Sequence, residues 1–294
     1  MDQSGLGGND YHGNRFCDFS IKPNSKTKAI NLMTQRVIIW GLGKVGRALY
    51  EGMTRSSIGV HAIITRDISK QNLPIKVPVW LSEEVLKSPN EFFRPGDIVF
   101  VSVVDREIDI LFQQVDIEGV TLIHCSGATS IIGLKNGNSG VFYPLQSFAG
   151  QGKEDWSVIP VFVEASNEVV MNSLLEIAEQ MGVGTIEKLN SQQRSFLHLA
   201  GVFANNYTMA MAGIAQDLLL NQDLNPNWVL SILTKTAENF GQGKPWELMT
   251  GPASRADLPT IEHHRTMLEN QPEMLAAYDA IAQYILNRPK DHSK

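Results

Sequence analysis

The sequence predicts an α/β fold in two parts: a wound, mainly parallel sheet, then an all-helical second half. Three observations carry that reading. Residues 36–50 read RVIIWGLGKVGRALY, a short apolar, β-branched run that enters a glycine-rich turn and then a helical pattern. Comparable apolar runs, of the kind that fill strands buried on both faces, recur as far as about residue 163. From Ser166 the apolar residues fall instead at every third or fourth position over long stretches.

The first strand, residues 37–40, leads into Gly41, Gly43 and Gly46 at the G-x-G-x-x-G spacing, with Leu42, Lys44 and Val45 between them. In a Rossmann-type dinucleotide site each glycine has its own task. The first turns the chain out of the strand, the second leaves bare backbone against a pyrophosphate, and the third lets the helix press on the sheet. The helix start adds unpaired N–H groups and about half a positive charge. These six residues are the expected phosphate loop, and the helix that follows runs to about Ser56.

Residues 59–67, GVHAIITRD, read as the second strand, and its end lies about 20 residues past Gly46, where the ribose-reading residue belongs. A guanidinium at Arg66 suits the 2′-phosphate of NADP, each charged hydrogen bond contributing ~1.5–3 kcal/mol. Thr65 offers a further donor. Asp67 leaves open acceptance from the bare 2′-hydroxyl of NAD. NADP is the expected cofactor and NAD the alternative.

A short third strand is expected at 76–79 and a fourth at 97–103, after the turn Arg94-Pro95-Gly96. Strand ends in an open parallel sheet face the ligand crevice, so Val103, Val104 and Asp105 should lie near a ribose. Asp105 is also placed to cap a helix over 106–114. A fifth strand at 120–125 ends in HCSGA. Ser126 there either meets nicotinamide and substrate or caps a following helix, and His124 is either part of that cluster or a satisfied interior residue. Strands at 141–143 and 159–163 extend the sheet, with Gln146 on the loop between them, a candidate substrate contact at the crevice mouth.

In the second half, helices are expected at 167–181, 191–220, 225–239, 260–270 and 272–286, with a brief strand at 185–187. On the longest helix Phe196, Ala200, Phe203, Tyr207, Met211, Ile214 and Leu218 form the expected core face. Arg194, His198, Gly201 and Asn205 form a second stripe flanked by Asn206, with none of the Lys and Glu of a solvated face. Histidine exchanges a proton near neutrality, so His198 is the candidate acid–base group. Asn205 and Asn206 are candidates to orient a substrate. In residues 248–259, LMTGPASRADLP, Arg255 either clamps an anionic substrate or pairs with Asp257 or Asp279. His263 and His264 are adjacent and point to different faces of a helix, so no metal site is expected.

A chain of 294 residues suggests two domains: 33–164 for the dinucleotide and 165–294 for substrate and dimerisation, after a disordered extension at 1–32. Met33 is an alternative start. Net charge is −6 and no basic block is present, which argues against nucleic acid or an anionic membrane as partner. No apolar run approaches the ~18 residues of a membrane span. Cys17 and Cys125 have no CxxC spacing and indicate neither a disulfide framework nor zinc. A cytoplasmic protein acting on a small molecule is the default expectation.

Taken together GLGKVG, HCSGA, YPLQSF, LHLAGVFANNY and TGPASRAD resemble a group of Rossmann-like candidate oxidoreductases whose second domain has no assigned function. That group is distantly similar to pyrroline-5-carboxylate reductase, ketopantoate reductase and 6-phosphogluconate dehydrogenase. The resemblance implies an all-helical second domain of the 6-phosphogluconate dehydrogenase C-terminal type, which forms a homodimer and one wall of the site. Hydroxyacid dehydrogenases among these relatives place a catalytic Lys and a nearby Asn on the first long helix of that domain. Here the corresponding stripe carries His198 with Asn205 or Asn206 and no Lys. The expected activity is hydride transfer between NADP and a small polar carbonyl, imine or alcohol. A non-catalytic NADP sensor is the alternative.

Overall fold

The computed structural model describes residues 35–69, 75–149, 154–242 and 245–288. The extension expected over 1–32, and Cys17 with it, lies outside them. The sheet half alternates β1 (Val37–Trp40), α1 (Lys44–Arg55), β2 (Val60–Thr65), β3 (Val79–Leu81), the short helices α2 (Ser82–Lys87) and α3 (Pro89–Phe92), β4 (Ile98–Val101), α4 (Asp105–Gln114) and β5 (Thr121–His124). It continues through β6 (Ser139–Pro144), β7 (Val161–Ala165), α5 (Glu168–Gln180) and β8 (Ile186–Lys188). These form one eight-stranded sheet in the order β3-β2-β1-β4-β5-β6-β7-β8. All neighbours pair in parallel except β6 with β7.

Alternation along the strands explains the unbroken apolar runs. Ile39, Ile63, Phe100 and Phe142 point to one face and pack with Leu49 and Met53 of α1 and Leu174 and Ile177 of α5. Ile38, Trp40, Val99 and Val101 point to the other face and meet Ile108 and Phe112 of α4. Both faces are covered, so neither needs a polar alternate. Full burial of one such side chain contributes ~1.5–3 kcal/mol, and this double core is what holds the strand ends in place.

The expected division at 164/165 falls inside this layer. α5 packs against β6 and β7, and the three-residue β8 pairs with β7. The sheet layer therefore runs to Lys188, and the helical half begins at α6 (Ser191–Gly201), capped by Asn190 and Gln193 in a reciprocal pair.

After α6 the chain passes through a π-helical segment, Val202–Tyr207, into α7 (Thr208–Leu220). α8 (Leu230–Phe240), α9 (Pro245–Leu248), α10 (Leu258–Met267) and α11 (Pro272–Asn287) complete it. The face expected to be core on residues 191–220 lies outward instead: Phe196 is 66% exposed, Phe203 60% and Tyr207 52%. The first part of the polar stripe is the side that docks on the sheet: Arg194 is only 1% exposed, and His198 and Gly201 are half-buried. The physical reason is a buried ion pair. Arg194 is matched to Glu164 at the end of β7 and to the Thr129 carbonyl, so the polar face has partners in the sheet half that the apolar face lacks. Among the described residues no helix is long and apolar enough to cross a membrane.

Candidate functional site

The glycine turn at the end of β1 separates the three expected tasks cleanly. Gly41 has φ +103°, a left-handed conformation, and its N–H donates to the Ile64 carbonyl at 2.8 Å. A Cβ at Gly46 would stand 1.9 Å from the Gly41 carbonyl oxygen and 2.6 Å from Ser102 Oγ, so the close helix–strand approach excludes a side chain there. A Cβ at Gly43 would meet nothing within 4 Å. Nothing in the fold therefore requires glycine at Gly43, and the position is exposed backbone at the start of α1. That helix start has no side-chain cap and no acidic residue in its first turn, which leaves its positive end uncompensated.

Above this turn lies a cleft of about 740 Å³, within the range of small-ligand sites. It is lined by Gly41, Leu42 and Gly43, by Thr65, Arg66 and Asp67 after β2, and by Ser102, Val103 and Val104 after β4. Of the expected cofactor residues, Lys44, Val45 and Gly46 lie in α1, outside the cleft lining. Asp105 is the first residue of α4 and not its cap: Val104 holds the cap position, with no side-chain hydrogen bond. The cleft also takes in Arg47 and Glu107, which look like ordinary helix-surface charges in the sequence. Arg66 Nη1 donates to Glu107 Oε1 at 2.9 Å. The bare backbone at Gly43, the uncompensated helix start and the polar side chains at the end of β2 together fit a nicotinamide dinucleotide.

Two strands further along, no helix follows β5. Instead Ser126 Oγ accepts from the Ala128 and Thr129 N–H groups, closing a tight turn. His124 is the satisfied interior residue, fully buried, and supports that turn from below. Its Nε2 lies 3.2 Å from the Ser130 carbonyl and its Nδ1 accepts from the Ser126 N–H at 3.2 Å, which sets the neutral Nε2–H tautomer. Burial first, then the nearby Arg194 charge, push its pKa down to about 4. Burial pushes the Cys125 thiol up to about 12, which favours its protonated form.

His198 does reach the sheet. Its Nδ1 lies 3.1 Å from the Tyr143 hydroxyl, and both rings crowd Gly127 of the turn. Gly201 comes close to Leu145, as its place in the stripe suggests. Asn205 and Asn206 lie in the π-helical segment and are exposed. Gln146 is exposed and accepts from the Ser147 N–H through its side-chain carbonyl. Arg255 pairs with Asp257, the cap of α10, and Arg265 takes Asp279. Among the described residues no hydrogen bond or ion pair brings Arg255 to the cleft. Sequence reasoning missed Tyr143, whose one signal is a polar-tipped aromatic at the carboxyl end of a strand.

Residues 159–285 match the family model of a domain of unknown function, DUF2520. A candidate NADP oxidoreductase from Bacteroides fragilis is similar at 26% identity and a TM-score of 0.77, over 87% of this chain and 100% of that one. A protein from Thermotoga maritima has 23% identity and a TM-score of 0.63, over 85% and 96%. An imine reductase from Myxococcus stipitatus in complex with NADP+ has 14% identity and a TM-score of 0.59, over 85% and 92%. No curated protein matches significantly. The chain is thus a Rossmann-like sheet domain followed by a helical domain, similar in fold to oxidoreductases, and its second half matches DUF2520.

Proposed function

We propose that the protein is an NADP-dependent oxidoreductase acting on a small polar carbonyl, imine or alcohol. The observation that carries this reading is the vacant space around Gly43 at an uncapped helix start, beside a glycine turn whose other two glycines are sterically required. The likeness to a candidate NADP oxidoreductase supports it. When bound, the nicotinamide supplies the hydride chemistry, and this chain's residues supply position and charge.

In this reading residues 41–46 hold the diphosphate and Arg66, with Thr65, holds the 2′-phosphate. Val103, Val104 and Asp105 flank the ribose, and Ser126 lies beside the nicotinamide. His198 moves the proton and Asn205 or Asn206 orients the substrate. The outward apolar face of α6 and α7 suits a second copy of the chain, since exposed patches of this kind mark association surfaces. Arg255 and Gln146 are then anion and polar contacts supplied at the rim of the paired molecule.

The test is NADPH consumption against a panel of small 2-keto acids and cyclic imines. Turnover of any panel compound supports the reading, and a protein that does not bind NADPH contradicts it. Sedimentation equilibrium checks the pairing: the wild type is expected as a dimer and Phe203→Glu as a monomer. A monomeric wild type contradicts the pairing.

A further inference from the structure

Tyr143 and His198 form a hydrogen-bonded pair of titratable side chains that joins the sheet half to the helical half, at the carboxyl edge of the sheet on which the nucleotide cleft also opens. Strand register places it there. Val101 pairs with His124 and His124 with Val141, so Val103 and Ser126, just past the ends of β4 and β5, and Tyr143, near the end of β6, all lie on the carboxyl edge of the sheet.

Tyr143 is nearly buried, and its hydroxyl meets His198 Nδ1 at 3.1 Å across the gap between sheet and helix. The rings cross edge to face, with centroids 6.0 Å apart. Gly127 completes the arrangement: a Cβ there would stand 2.7 Å from both Tyr143 Cζ and His198 Nδ1. Gly127 does not have a left-handed φ, so the crowding and not the backbone conformation calls for glycine. Burial, with Asp105 acting in the same direction and Arg194 against it, raises the Tyr143 pKa and keeps the phenol in its proton-donating form.

We propose that Tyr143 is the catalytic acid of this site and that His198 resupplies its proton. The proposal rests on the oxidoreductase reading and deepens it: the proton that reading gives to His198 reaches the substrate through Tyr143. The substrate class is a small C=O or C=N compound. As its carbon accepts a hydride from reduced nicotinamide, a C–H bond forms and the π pair moves to oxygen or nitrogen. That atom takes the Tyr143 hydroxyl proton. The Tyr143 oxygen takes the Nδ1 proton of protonated His198, and the imidazole regains a proton from solvent. One hydride and one solvent proton are consumed, the substrate is reduced and the hydride donor is left oxidised. Run backward, the same atoms oxidise an alcohol or amine.

The test uses the full chain and three variants, Tyr143→Phe, His198→Gln and Gly127→Ala. NADPH affinity is measured first, as a check on fold and cofactor binding that is independent of the dyad, and is expected to be unchanged in all three. With pyruvate, 2-oxobutyrate and 2-methyl-1-pyrroline as probes, Tyr143→Phe is expected to lower kcat by about 100-fold or more, with KM little changed. Gly127→Ala, which keeps both groups but wedges them apart, should also lower kcat. Wild-type kcat in Tyr143→Phe overturns the proposal.

A spectroscopic arm needs no substrate and decides even where no probe is reduced. In protein labelled with ¹⁵N-histidine, the His198 ring-nitrogen shifts and their pH titration should change in both Tyr143→Phe and Gly127→Ala. Shifts identical to wild type overturn the dyad. A wild type that fails to bind NADPH but shows the coupled titration sinks the cofactor reading and leaves the pair standing. Intact NADPH binding with an uncoupled titration sinks the dyad alone.

Discussion

Across the mouth of the cleft the Arg66 guanidinium is held by the Glu107 carboxylate at 2.9 Å, joining the end of β2 to the first turn of α4. The Arg66 side chain is largely solvated and Glu107 partly so, and a pair of this kind contributes only ~0–1 kcal/mol. A charged hydrogen bond to a phosphate contributes more, ~1.5–3 kcal/mol, so on the proposed reading a 2′-phosphate would displace Glu107 from Arg66. Arg66→Ala is therefore expected to weaken NADPH by roughly tenfold or more while sparing NADH. Glu107→Gln removes the competing carboxylate and should tighten NADPH relative to NADH. Fluorescence titration of the two nucleotides checks both, and equal losses for NADPH and NADH in Arg66→Ala would discard the 2′-phosphate assignment.

Gly43 and Gly46 should respond to the same substitution in opposite ways. A methyl at Gly46 collides with a backbone carbonyl, which cannot rotate aside, and overpacking of this sort typically costs ~1–3 kcal/mol. Gly46→Ala is expected to lower Tm by several degrees. A methyl at Gly43 meets nothing in the protein, so Gly43→Ala should keep the wild-type Tm and lose NADPH affinity. Thermal melts with and without NADPH separate the two effects. A Gly43→Ala protein with wild-type affinity would show that the bare backbone has no ligand to meet.

Much of the sheet half is legible in the sequence because each strand is covered on both faces. An uninterrupted run such as Val37–Trp40 then has only one reading, and the glycine spacing follows from steric demands made within a few residues. Legibility fails where identity depends on a distant partner. β8, at Ile186–Lys188, is expected as a brief strand at 185–187, but its pairing with β7, which carries the sheet past the expected division at 164/165, is not visible in the sequence. The periodicity of residues 191–220 reveals two faces but not which one meets the sheet. Arg194 looks solvated until Glu164, thirty positions earlier, is seen beside it. For the same reason Ser126 looks like a helix cap, although its hydroxyl closes a turn with no helix behind it. Tyr143 reads as one more core aromatic until His198 is placed next to its hydroxyl.

His124 makes stability depend on pH in a defined direction. Its folded pKa of about 4 lies below the ordinary imidazole value of 6.5. Between these values the unfolded chain binds more protons, so stability is full above about pH 6.5 and falls as pH drops through the folded pKa. The loss is at most on the order of 3 kcal/mol and comes first from the burial of the imidazole, then from the nearby Arg194 charge. Urea denaturation across this window should show the decline in wild type and a shallower one in His124→Gln. Parallel pH profiles for the two proteins would remove His124 as the cause.

The central claim is that the backbone opening α1 receives a pyridine-nucleotide diphosphate, and calorimetric titration of the full chain with NADPH and then NADH tests it most directly. The account predicts saturable heat with NADPH, a Kd at least ~tenfold tighter than for NADH, and loss of that heat in Gly43→Val. No heat with either nucleotide, or full NADPH binding by Gly43→Val, would contradict it.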